Sequence, residues 1–96
     1  MDEALLDEAL RALAHPARRA VIRMTVDRAV PATELAAALG VAPATASEHL
    51  KVLRKTGLVR LTASGTWRCY RADLGRVQEI RDALLEHLPS PVKEAP

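Results

Sequence analysis

Residues 43–55 read PATASEHLKVLRK, and their chemistry runs in one direction. Small Ala44 and two hydroxyls, Thr45 and Ser47, come first. A carboxylate, Glu48, and an imidazole, His49, follow, and three cations, Lys51, Arg54 and Lys55, come last. Hydroxyls exchange hydrogen bonds with base edges or phosphates, and a methyl-sized side chain admits a thymine methyl. Cations neutralise phosphates. The chain then continues through GLVR, bringing Arg60, and SGTWRCYR adds Thr66, Arg68 and Arg71 around a turn. The alternative is a solvated helix end whose hydroxyls and charges meet only water.

Glu48 is the one acid in this stretch. Two roles suit it. Its carboxylate can accept from cytosine N4–H₂, or it can tune the nearby charges, by pairing with Lys51 or Lys55 and orienting them or by weakening non-specific binding through phosphate repulsion. Seven cations lie between residues 40 and 76 against two acids, a local net charge of +5. Residues 1–39 carry a net charge of −1 and residues 77–96 a net charge of −2. A basic middle between mildly acidic ends is the footprint of a nucleic-acid face.

Such residues need elements to hold them. Residues 3–14 place Leu6, Leu10 and Leu13 on one helical face. His15-Pro16 breaks that helix, since proline disfavours the α region for the residue before it. Pro16 then opens a second helix, residues 16–27, with Val21, Ile22, Met24 and Val26 apolar. A short helix over 31–39 ends at Gly40, and after a turn of about three residues Pro43 opens a helix to about Thr56. That is helix-turn-helix spacing. Ala46, Leu50 and Leu53 form the inward stripe of its second helix, facing Leu35 and Leu39. Thr45, Ser47, Glu48 and Lys51 therefore point outward, with His49 beside the stripe as a helix-packing or phosphate-contacting residue.

From residue 58 the period becomes two: LVRLTA and WRCYRA make a hairpin turning at Ser64-Gly65. Arg68 and Arg71 fall on opposite strand faces, and Trp67 and Tyr70 are expected in the core. Residues 72–88 return to helical spacing through Val77, Ile80, Leu84 and Leu88. The fold class is mainly α with a small β-hairpin (α+β): a winged helix-turn-helix of order α-α-α-α-β-β-α. It occupies residues 1–88, with the wing at 58–72, and a proline-rich tail follows over 89–96.

Ninety-six residues with 49% apolar content suit one small domain. A single cysteine, Cys69, excludes an internal disulfide and any CxxC motif. No run approaches the ~18 apolar residues of a membrane span, and the acidic start is unlike a secretory signal. The expectation is a soluble, cytoplasmic protein with no cofactor and no membrane partner.

The segments LAHPARRAVI, ELAAALGVAPATASEHLKVLRKTGLVR and SGTWRCYRA resemble the ArsR/SmtB-type winged-helix repressors. The resemblance covers residues 5 to about 88, and the wing carries the family's Gly-x-Trp-x-x-Tyr-Arg wording at Gly65–Arg71. It implies a homodimer built on the first and last helices, with two reading helices in successive major grooves of a near-palindromic operator. It also implies DNA contacts from Ala44, Thr45, Ser47, Glu48, His49, Lys51, Arg54, Lys55, Thr66 and Arg68. The apolar stripes expected at the dimer interface comprise Leu6, Leu10, Leu13, Val77, Ile80, Leu84 and Leu88. Metal sensing does not carry over. The family's Cys-x-Cys stretch is AVPATEL here, and the last-helix pairs are missing at Asp73-Leu74-Gly75 and His87–Ser90. No residue pattern specifies an inducer.

Other readings are a Cys69 redox sensor beside Arg68 and Arg71, an intersubunit metal site, a longer-chained MarR-like winged helix, and a dimeric protein-interaction module with incidental basic charge. No glycine-rich phosphate loop or nucleophile motif suggests an enzyme.

Overall fold

The structure, a computed structural model, describes residues 1–91. Of the expected tail, residues 92–96 lie outside the described residues. The chain forms α1 (Glu3–Leu13), α2 (Pro16–Met24), β1 (Val30–Pro31), α3 (Ala32–Leu39), α4 (Pro43–Lys55), β2 (Val59–Ser64), β3 (Trp67–Ala72) and α5 (Leu74–His87). Among the described residues no helix is long and apolar enough to cross a membrane.

The helix ends follow from local chemistry. Asp2 caps α1 by accepting from Leu5 N–H at 2.8 Å, and Asp73 caps α5 through Arg76 N–H at 3.1 Å. Pro16 and Pro43 sit in the first turns of α2 and α4, where a missing N–H is tolerated. Gly57, at φ +77°, ends α4. Its N–H reaches Arg54 C=O, and Leu58 N–H reaches Leu53 C=O at 2.9 Å. These are the two bonds of a Schellman closure, which needs a left-handed residue. α2 stops at Met24, three residues before the expected end. There Thr25 is fully buried, donates its hydroxyl to Val21 C=O and accepts Ala72 N–H, so the chain is drawn to the sheet.

The sheet has order β1-β3-β2, all antiparallel. The expected hairpin is present, but its two-residue loop is Gly65-Thr66, since Ser64 pairs with Trp67. The third strand is an addition: Val30 pairs with Tyr70 and Pro31 with Cys69. Two residues carry no period, so this strand has no signature in the sequence.

Leu35, Leu50, Leu53, Leu58, Val21 and Val30 fill the centre of the core. Ala46, Leu50 and Leu53 point inward as expected. α1 and α5 pack on each other through Leu6, Ala9, Ala12, Ile80 and Ala83. Two members of the expected dimer stripe take part in this packing. Leu6 (2% exposed) and Ile80 (4%) are already buried within the protomer and present no surface to a second copy. Leu10, Leu13, Val77 and Leu84 are half-buried, and Leu88 is exposed, as are Leu5 and Leu85, which the stripe omitted.

Candidate nucleic-acid interface

α4 is presented by two contacts at its rear: α3 in the helix-turn-helix and α2 behind. With Ala46, Leu50 and Leu53 buried, helical geometry leaves Ala44, Thr45, Ser47, Glu48 and Lys51 exposed. The wing stands beside the same helix. β3 places Arg68 and Tyr70 on one face and Trp67, Cys69 and Arg71 on the other.

Ser47, Lys51, Arg54, Lys55, Arg68 and Tyr70 line an open hollow of about 450 Å³ between α4 and the wing. The side chains of Lys51, Arg54, Lys55 and Arg68 make no ion pair or hydrogen bond among the described residues. Four unengaged cations around one concavity form a site for a polyanion. Glu48 is exposed and equally unpaired, so the expected pairing with Lys51 or Lys55 is not formed. Thr66 lies at the hairpin tip and, with Arg68, edges a second recess lined by Pro31, Ala32, Thr33 and Trp67.

Other expected residues are placed differently. His49 turns towards α2, where its Nδ1 accepts from Arg18 Nε at 3.1 Å, and its ring lies 6.4 Å from that of His15. Burial holds its pKa below the ordinary value, and the neighbouring Arg18 and His15 push the same way. Its chief contact is therefore with α2, away from the cationic hollow. Arg60, in the basic run, is tied to Asp73, Nε to Oδ2, at 2.8 Å. Arg71 donates to Asp27 C=O at 3.4 Å on the sheet's far face.

Trp67 is not in the core: it is 60% exposed. It starts β3 beside the turn, on the face opposite Tyr70, beyond the cover of the helices. Tyr70, paired with both Val30 and Leu61, is buried as expected. Cys69 is half-buried on the Trp67 face. Among the described residues no three His, Cys, Asp or Glu side chains are grouped to hold a metal ion.

A helix-turn-helix seated on a helical core, with a basic strand pair beside its second helix, defines a winged helix-turn-helix protein. A helix-turn-helix domain family matches residues 13–62, more than half of the chain, and the chain belongs to that family. Its fold is that of the ArsR-like DNA-binding transcription regulators. An ArsR-like transcriptional regulator from Rhodococcus sp. RHA1 superimposes with a TM-score of 0.77 at 25% identity, over 86% of this chain and 78% of that one. NolR from Sinorhizobium fredii gives 0.73 at 26% identity, over 86% and 83%. The homodimeric winged helix-turn-helix DNA-binding domain of a possible ArsR-family regulator from Mycobacterium bovis gives 0.69 at 25% identity, over 99% and 97%. No curated protein matches the sequence.

Proposed function

We propose that this regulator is a homodimeric repressor that binds a near-palindromic operator, with α4 in the major groove and the wing against the backbone. The observation that carries this reading is the hollow between them, where Lys51, Arg54, Lys55 and Arg68 converge and none is neutralised among the described residues. Ala44, Thr45, Ser47 and Glu48 stand exposed at the helix end that such motifs offer to base edges. Glu48, free of lysine partners, is suited to accept from cytosine N4–H₂. Cations supply affinity without regard to sequence, and the hydroxyls and carboxylate supply preference.

The dimer rests on α1 and α5. Leu5, Leu85 and Leu88 are exposed, and half-buried Leu10, Leu13, Val77 and Leu84 extend that apolar surface. That the Mycobacterium bovis relative is homodimeric supports a dimer here. A two-fold pair would set two reading helices about 34 Å apart, one turn of DNA.

The test is fluorescence anisotropy on DNA from upstream of the protein's own gene, against a scrambled duplex, at two salt concentrations. A preference for the native duplex that survives physiological salt is expected. Equal, salt-fragile binding to both would favour a protein-interaction module. Leu85→Glu, at a side chain already exposed in the protomer, should give monomers that lose operator binding. A stable mutant dimer would remove α5 from the interface.

A further inference from the structure

We propose that the Tyr70 hydroxyl is a DNA-backbone ligand, a phosphate anchor at the floor of the hollow between α4 and the wing. The proposal rests on the DNA-binding reading above. Tyr70 is only 7% exposed, and its ring belongs to the core cluster with Val30, Leu50 and Leu58. A buried phenol ordinarily finds a hydrogen-bond partner for its hydroxyl. This one has none among the described residues, yet no buried side-chain oxygen or nitrogen among them is left unsatisfied. The hydroxyl therefore opens to the surface. The surface it opens on is set by the residues around it. Tyr70 lines the cationic hollow and also the adjoining recess of about 330 Å³ that Thr33, Ser47, Leu50 and Arg68 share.

Three kinds of donor converge there: a phenol O–H, the Arg68 guanidinium on the same strand face, and the Ser47 hydroxyl from the opposing helix. Together they suit a phosphate, whose oxygens accept and whose charge needs a cation. A phenylalanine would fill the core equally well, so the oxygen has no role inside the protomer. Its partner comes from outside. The occupant is a backbone phosphate rather than a free anion. The hollow is open and continues past Lys51, Arg54 and Lys55 along a full turn of α4, further than one small anion can span.

The experiment is Tyr70→Phe, which keeps the ring and removes only the oxygen, compared with wild type and Arg68→Ala by anisotropy across a salt series. Tyr70→Phe should bind native and scrambled duplexes roughly tenfold more weakly. Its salt slope should be unchanged, because no charge is lost, whereas Arg68→Ala should lower the slope by about one per protomer. Thermal stability of Tyr70→Phe should equal that of wild type. Wild-type affinity in Tyr70→Phe would overturn the anchor and leave the DNA reading standing. A weakened variant that also melts earlier would show a packing role and overturn it as well. A wild-type protein that binds no duplex would overturn the DNA reading and the anchor together. Orthophosphate titrated into the free protein, followed by the amide resonances of residues 68 and 70, provides the last arm. Binding there while Tyr70→Phe retains full DNA affinity would reassign the site to a small anion.

Discussion

The cations of this chain behave differently on its two sides. Away from α4, most arginines are engaged by the fold itself, Arg11 and Arg23 being the exceptions among the described residues. Arg28 pairs with Glu34, Arg60 with Asp73, Arg76 with Glu79 and Arg81 with Asp82, while Arg19 and Arg71 donate to backbone carbonyls. In the angle between α4 and the wing, the side chains of Lys51, Arg54, Lys55 and Arg68 make no ion pair or hydrogen bond among the described residues. The contrast comes from where the acids fall. Asp73 caps α5 and is within reach of Arg60, whereas the only acid on α4, Glu48, pairs with no cation among the described residues. A paired charge gains little from a phosphate, because it must first give up its carboxylate. An unpaired one gives up only water and counterions. Net charge, +2 for the whole chain, conceals this division.

The largest effect should come from erasing the free set. Replacing Lys51, Arg54, Lys55 and Arg68 together with alanine removes four phosphate contacts per protomer. It should lower the salt slope by about seven for a dimer and abolish binding at physiological salt. Circular dichroism should remain that of the wild type, since none of the four supports the fold. Retained binding would mean that the two sets of cations do not differ in function.

Asp73→Ala tests the engaged set. It removes the α5 cap and the Arg60 partner together, and should cost about 1–2 kcal/mol in urea unfolding. The backbone N–H of Arg76 and the Arg60 side chain hold the Asp73 carboxyl below its ordinary pKa of 3.8. A depressed carboxyl stabilises fully above that ordinary value and stops doing so as pH falls through its folded one. Wild-type stability should therefore fall more steeply than that of the variant below pH 3.8.

Arg60→Ala sharpens the contrast further. Its pair with Asp73 is exposed on the arginine side, so the loss should be within about 1 kcal/mol. The DNA salt slope should not move, although Arg60 lies in the same basic run as Lys55. A fall of one unit would place Arg60 with the free cations.

The smallest effect concerns His49, which stands between the two sets. Its folded pKa is depressed, chiefly by burial, so the unfolded chain takes up a proton first as pH drops. Its contribution is complete above pH 6.5 and declines below it. His49→Gln should flatten the stability curve below pH 6.5.

Most of the scaffold is legible in the sequence. Proline starts, glycine ends and the Ala46–Leu50–Leu53 stripe are local signals, and local signals set helices. The change of period at residue 58 marked the wing. What stayed hidden depends on neighbours distant in sequence. β1 exists only because β3 offers it a partner at Tyr70 and Cys69. Leu6 and Ile80 carry the same apolar pattern as Leu10 and Leu84, and only the packing of α1 on α5 decides which are buried.

The sequence alone determined that a helix of hydroxyls and cations would be displayed by a winged helix-turn-helix, because helical and strand periods follow from backbone geometry. Only the tertiary structure decided which cations are free, that Trp67 is outside and that Tyr70 lines the hollow. Charge pairing and burial depend on the distances between elements, and those are settled when the elements pack.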